Sequence, residues 1–318
     1  MKILIAGAGA MACLVGGKLK AIGEDVRLYN RMNSHVEAIH RQGLRIVEKD
    51  NSTTHIDLEI VQELQAGEQV DVLLVLLKAQ ANESVLEKLR GKLAKETLIV
   101  TMQNGIGNAE TIQRLFPPNT VVSGTLGHGA SVEHDGTILH RGWGKNYLGN
   151  VEADTDNKTI EYFAEKLSEA GLETAVSPNV KALIWNKLFV NAAFNSVTAL
   201  TRLKNGDILN TPEGESLLRA IVEEAVLVAQ AEGVEADAQA VAEECLRMGH
   251  QDIGANKSSM LMDVLKKSQT EIAVINGGIV TLGKKHGIAT PVNESLSALV
   301  RIIEQNYKLR VDESSVQK

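Results

Sequence analysis

Cysteine is scarce, with only Cys13 and Cys245 among 318 residues. They lie far apart and in no C-x-x-C pairing, which excludes a disulfide framework and a zinc knuckle and fits a reduced, cytoplasmic setting. Positive charge is in deficit as well. The formal net charge is −7, whereas a protein that binds nucleic acid or an acidic membrane needs a basic surface. Long apolar runs are missing: the six residues 72–77, which no uninterrupted run exceeds, fall far short of a bilayer crossing. The eight histidines show no H-E-x-x-H or other ligand spacing, so no metal is assigned. There is no internal repeat, and only the polar tail after Arg310 reads as disordered.

What the chain does have begins at its start. Lys2-Ile3-Leu4-Ile5-Ala6 is an apolar strand that runs into Gly7-Ala8-Gly9-Ala10-Met11-Ala12, a G-x-G-x-x-A turn. A helix-capable stretch and a second strand ending at Asn30-Arg31 follow, which is the context in which this motif binds a dinucleotide. Gly7 permits the tight turn, Gly9 keeps a Cβ away from a pyrophosphate, and small Ala12 lets the helix lie close to the sheet. The helix N-terminus offers N–H groups and a partial positive charge to the phosphates. A secretory signal is the competing reading of the apolar start, but Gly7 and Gly9 interrupt it and a matching strand follows directly.

With 318 residues and 44% hydrophobic content, the chain exceeds the usual size of a single core, so two domains are expected. The first half alternates β-rich runs at 3–6, 25–30, 70–77, 98–101 and 121–125 with helical patterns, which predicts a doubly wound, Rossmann-like α/β domain over 1–176. Residues 44–61 alternate with period two like an edge hairpin. Asp135-Gly136 is a hairpin turn, so antiparallel strands are expected to finish the sheet near Leu148. Ser177-Pro178 and Thr211-Pro212 each place a capping hydroxyl before proline, and helical periodicity then runs to Lys308. The second domain, 177–318, is therefore expected to be all helix.

The end of the second strand selects the cofactor. A carboxylate there would accept from a ribose 2′-hydroxyl, whereas an arginine accommodates a 2′-phosphate. No carboxylate stands between Val26 and Asn33, and Arg31 supplies a fork-shaped cation, so NADPH is expected. A solvated loop charge is the alternative for Arg31. Lys78 follows an apolar strand and Asn104 lies in the loop Gln103-Asn104-Gly105-Ile106-Gly107 after the next one. Both are placed at the carboxyl edge of the sheet, where ligands of such sheets lie.

Residues 182–200 are apolar almost all the way round, which marks a helix packed on most sides. Lys187, Asn191 and Asn195 interrupt it every fourth residue and stack along one face, with Thr198 below. Burying an unpaired amide costs about 1–3 kcal/mol, and an ammonium more, so the stripe needs partners. A polar ligand or a hydrogen-bonded seam between domains would supply them. Reducing a ketone leaves negative charge on oxygen, which an ammonium within reach both stabilises and protonates, and Lys187 is the candidate for that task. Further on, Asn256-Lys257-Ser258-Ser259 reads first as helix capping. Glu271, followed by an apolar run, reads as a carboxylate seeking a cationic or hydroxyl partner.

Taken together, these residues resemble the ketopantoate reductase family, NADPH-dependent enzymes that convert 2-dehydropantoate to pantoate on the route to pantothenate and coenzyme A. The resemblance is carried by Gly7-Ala8-Gly9-Ala10-Met11-Ala12, Lys78-Ala79, Gln103-Asn104-Gly105, Asn186-Lys187-Leu188 with Asn191 and Asn195, Asn205-Gly206, Ser258-Ser259-Met260-Leu261, and Thr270-Glu271-Ile272 with Asn276-Gly277. It implies that Lys187 is the proton donor and that Asn104, Asn191, Asn195, Asn205 and Ser259 contact substrate, with Asn256 nearby. It also implies that Gly7 to Ala12, Arg31, Lys78, Asn104, Ala130 and Glu271 lie at the cofactor or its junction with substrate. The implied fold is a Rossmann-like domain plus a helical domain for substrate and dimerisation, with the active site in a cleft that closes on binding; a homodimer would fit this plan. Ala12 stands where the family commonly has a third glycine, which bears on helix packing. Relatives on this scaffold reduce other 2-oxo acids to D-2-hydroxy acids, some with NADH. A D-2-hydroxyacid dehydrogenase therefore stays open beside the ketopantoate reading, and a non-catalytic NADPH-sensing protein is the option from another class.

Overall fold

The computed structural model describes residues 1–150 and 158–309, and the disorder expected after Arg310 falls outside them. The described chain divides into two units, 1–103 with 107–183, and 104–106 with 184 onward.

In the first unit the strands and helices, in chain order, are β1 (Lys2–Ala6), α1 (Ala10–Ala21), β2 (Asp25–Tyr29), α2 (Ser34–Gln42), β3 (Leu44–Val47), β4 (Thr53–Ile56), β5 (Glu59–Val61), β6 (Val72–Val75), α3 (Asn82–Leu86), β7 (Leu98–Thr101), α4 (Asn108–Leu115), β8 (Val121–Thr125), β9 (Gly129–His134), β10 (Thr137–Gly142), β11 (Asn146–Gly149), α5 (Lys158–Glu169) and β12 (Thr174–Val176). Eight strands form the main sheet in the order β12-β11-β8-β7-β6-β1-β2-β5. It is parallel except where β11 runs against β8. Its central strands are apolar without a polar face because both faces are covered. Ile3, Ile5, Val72, Leu74 and Val100 point into one core with α1 and α5, while Leu4, Ala6, Leu73, Val75 and Ile99 point into the other with α3 and α4.

The hairpin expected at 44–61 forms as β3 and β4, and Asp135-Gly136 turns β9 into β10 as expected. Neither hairpin finishes the main sheet. They join through parallel pairing of β3 with β10 into a separate four-stranded sheet, while β5 alone closes the main sheet beside β2. The cause lies in α1, which is apolar on both sides. A Cβ on Gly16 would come within 2.9 Å of Leu28 of the main sheet, and one on Gly17 within 2.6 Å of Ile46 of the small sheet. These two glycines let one helix carry a sheet on each side.

A polar chain centred on the buried His140 ties the small sheet to that helix. Lys18 of α1 pairs with Glu48 at 2.7 Å, Glu48 with His140 Nδ1 of β10 at 2.7 Å, and His140 Nε2 with His128 Nδ1 at 2.9 Å. His140 is the register partner of Ala130 in β9.

The second unit is helical: most of α6 (Val180–Thr201), then α7 (Pro212–Ala231), α8 (Ala238–Gln251), α9 (Ser259–Leu265), α10 (Asn276–His286) and α11 (Pro291–Gln305). Thr211 caps α7 before Pro212, as its sequence predicts. For α6 the cap moves two residues on: Ser177 Oγ accepts from Asn179 N, and Asn179 Oδ1 accepts from Ala182 N at 3.4 Å. Helix α6 is the hydrophobic spine of the unit, with Trp185, Leu188, Phe189, Ala192, Ala193 and Phe194 all buried. No described helix is long and apolar enough to cross a membrane.

Candidate active-site residues

In the first unit, the glycine turn joins β1 to α1. Gly7 has φ +119°, and a Cβ there would lie 3.1 Å from the Leu76 carbonyl oxygen, so the fold itself demands glycine. At Gly9 the opposite holds. It is exposed, and a Cβ would meet nothing within 4 Å. What glycine provides at Gly9 is open space at the start of α1, whose first turn holds no acidic residue and whose cap has no side-chain hydrogen bond. Such a helix start suits a pyrophosphate. Ala8 and Ala12 are buried, Ala10 and Met11 partly so, and Ala12 is fully enclosed in the core.

Arg31 is exposed two residues beyond β2, and Lys78 is exposed beyond β6, at the head of a short 3-10 turn. Since β6, β1 and β2 are adjacent and parallel, the glycine turn, Arg31 and Lys78 all stand at the same carboxyl edge. Gln103, quoted in the sequence only as a neighbour of Asn104, anchors the loops of this edge. Its Nε2 donates to the Leu77 carbonyl at 2.6 Å and to Asn82 Oδ1 at 2.8 Å, and its Oε1 accepts from Thr101 Oγ1. Ala130 is half-buried in β9.

In the second unit, Lys187, Asn191 and Asn195 lie along α6, the first two partly buried and the third buried. Lys187 faces the Glu271 carboxylate. Burial pushes its ammonium down to about 8, with Glu271 holding it up against that pull. Glu271 also accepts from Asn104 Nδ2 at 2.9 Å. The loop that presents Asn104 packs on Val274: Ile106 N donates to the Val274 carbonyl at 3.0 Å, and Gly105 approaches that carbonyl so closely that a Cβ would lie 2.3 Å from its oxygen.

Below this cluster, Thr198 Oγ1 donates to the Asn195 carbonyl and meets Ser258 Oγ at 2.7 Å, so α6 is tied to the cap of α9, where Ser259 is exposed. Asn205 joins the same region: its backbone N donates to the Asn256 carbonyl and its Nδ2 to Ile253. Asn256 is exposed. Asn195 Nδ2 and Asn205 Oδ1 are buried without a hydrogen-bond partner among the described residues. A donor and an acceptor left unsatisfied inside a protein suit a ligand with hydroxyl and carboxylate groups. Among the described residues no cluster of metal-ligating side chains is present.

Comparison with known proteins covers both units. The family model described as ketopantoate reductase PanE/ApbA matches residues 3–153, and its C-terminal counterpart matches 179–304. A 2-dehydropantoate 2-reductase of Halobacterium salinarum is 31% identical over 96% of this chain and 100% of its own length, and one of Pyrococcus horikoshii is 33% identical over 96% and 98%. Among solved structures, a D-mandelate dehydrogenase with NADH and anilino(oxo)acetate superposes with a TM-score of 0.90 at 31% identity, covering 97% of this chain and all of that one. A PanE/ApbA family ketopantoate reductase from Ralstonia eutropha gives 0.87 at 30%, with the same coverage. With both halves matched in order, and the glycine turn and the lysine helix each inside a matched segment, the chain belongs to the ketopantoate reductase PanE/ApbA family.

Proposed function

We propose that this oxidoreductase reduces 2-dehydropantoate to pantoate with NADPH. The observation that carries the reading is Lys187, a half-buried ammonium beside Glu271 with its pKa drawn to about 8. Such a group is still protonated at neutral pH, yet close enough to neutrality to give its proton up, which is what a general acid requires. A bound nicotinamide supplies the hydride to the carbonyl carbon. Lys187 stabilises the charge developing on the carbonyl oxygen and delivers a proton to it, so that hydride and proton together complete the alcohol. Lys187 then recovers its proton from solvent. Glu271, held by Asn104, keeps the lysine charged against its burial. Asn191, Asn195, Asn205, Asn256 and Ser259 bind the substrate's hydroxyl and carboxylate. The glycine turn with Lys78 and Ala130 binds the dinucleotide, and Arg31 its 2′-phosphate. Action in the cytoplasm as a homodimer belongs to the same reading.

The likeness to D-mandelate dehydrogenase, with its TM-score of 0.90, favours a second reading in which another 2-oxo acid is the substrate and NADH the donor. A panel of 2-dehydropantoate, 2-oxoisocaproate and phenylglyoxylate, assayed with both nicotinamides, separates the two. The highest kcat/KM is expected for 2-dehydropantoate with NADPH, and a higher value for either other acid overturns the ranking. Nucleotide binding with no turnover of any of the three would instead support a sensor.

A further inference from the structure

Three buried polar residues of the second unit take no part in the chemistry above. Asn276 opens α10, Asn293 lies in the first turn of α11, and Glu224 lies midway along α7; the two asparagines are wholly enclosed and the glutamate nearly so. Asn276 Nδ2 donates to the Ala192 carbonyl of α6 at 3.2 Å and to Asn293 Oδ1 at 2.9 Å. Asn293 Nδ2 donates to Glu224 Oε2 at 2.7 Å and to the Ile221 carbonyl at 3.2 Å. The Glu224 carboxylate also accepts the backbone N–H groups of Val292 and Asn293 at 2.8 and 2.9 Å, which fixes it at the N-terminus of α11. One polar chain thus joins four helices.

Its position on α6 is specific. Ala192 directly follows Asn191, between Lys187 and Asn195. At the other end, Asn276 follows closely on Glu271, whose carbonyl accepts from Val274 and Ile275 and so closes the intervening turn. The clamp therefore grips the lysine helix at the level of its polar stripe and, five residues along the chain, lies just beyond the turn that carries the carboxylate facing the lysine. Stability alone is a poor explanation for it. Asn276 Oδ1 is buried without a hydrogen-bond partner among the described residues, a desolvation cost that an apolar residue of similar size would avoid.

We infer that Asn276, Asn293 and Glu224 are positioning residues that set Lys187 and Glu271 against each other for proton transfer. This rests on Lys187 being the proton donor. The test compares the full-length wild type with Asn276→Ala in kcat, substrate KM, NADPH Kd, melting temperature and the pH profile of kcat/KM. Misplacing reacting groups by about 1 Å costs on the order of 100-fold, so kcat is expected to fall roughly 10- to 100-fold with NADPH Kd unchanged. The alkaline limb is expected to move up from about 8 toward the ordinary lysine value. Water admitted around the ammonium relieves its burial, which is the larger influence on it, while Glu271 is the charged group facing it among the described residues. A lower melting temperature with kcat and the limb both as in wild type would show a merely structural role and overturn the inference. Glu224→Gln, which keeps the size and removes one acceptor, should shift both readouts the same way by less, and wild-type values there also overturn it, including where Asn276→Ala does not fold. If Lys187→Ala retains turnover, or the wild type lacks an alkaline limb, the proton-donor reading itself has failed.

Discussion

At the scale of single residues, opposing influences are resolved by local geometry. Lys187 is drawn toward neutrality by burial and kept charged by Glu271; one without the other would give either a neutral amine or an ordinary surface lysine, and neither makes an efficient acid near pH 7. Asn195 and Asn205 keep a buried donor and a buried acceptor unpaired, tolerable where a ligand repays the cost. Arg31 is the complementary case, an exposed cation at the strand edge with no carboxylate nearby in sequence to repel a phosphate. Hydrogen bonds to a charged partner contribute about 1.5–3 kcal/mol. Arg31→Asp should therefore cut the preference for NADPH over NADH by roughly 10- to 100-fold, read as the ratio of the two kcat/KM values. Unchanged selectivity would remove Arg31 from the cofactor site.

At the scale of elements, the loop 104–106 shows how backbone places chemistry. Gly105 sits at φ +81° against the Val274 carbonyl, so Gly105→Ala should cost about 1–3 kcal/mol of stability and push Asn104 off Glu271. The expected result is a lowered kcat together with a lowered melting temperature, and retention of full kcat would show that the Asn104–Glu271 bond is dispensable. This approach was not legible in the sequence, where Gly105 is one more glycine in a loop and Val274 is 169 positions away. The same holds for Gly16 and Gly17, whose closeness to Leu28 and Ile46 appears only once two sheets are in place, and for the second sheet itself. Period-two alternation identifies a strand but not the partner it will pair with. Glu224 is hidden for a related reason: within an apolar helical stretch it looks like a solvent-facing charge until Asn293 and the start of α11 are brought to it. Most features that depend on near neighbours are legible in the sequence, the start of α6 excepted, where Asn179 rather than Ser177 caps the helix. The central strands, the glycine turn, the two hairpins, the cap at Thr211 and the four-residue spacing of Lys187, Asn191 and Asn195 each depend only on near neighbours.

At the scale of the whole molecule, the family assignment spans both units, and the acidic net charge of −7 leaves local cations to handle an anionic substrate and cofactor. Stability should respond to acid through two histidines, His35 buried and His128 partly buried. His35 accepts from Gly136 N through Nδ1 and contacts Cys13 Sγ through Nε2, and burial holds its pKa below the ordinary value of 6.5, with Asp135 opposing. Burial, then His140 and Lys18, do the same to His128. Because the folded state resists protonation, the unfolded chain takes up protons first, and stability present above pH 6.5 is lost as pH falls below it. The melting temperature should drop between pH 7 and 5, and His35→Asn, which keeps an acceptor for Gly136 without titrating, should flatten that drop; an equally steep drop in the variant would exclude His35 as a cause. The most direct test of the central claim is the turnover of Lys187→Ala with 2-dehydropantoate and NADPH. Loss of the general acid should lower kcat on the order of 100- to 10,000-fold while NADPH affinity stays within about threefold, and near-normal turnover would contradict the account.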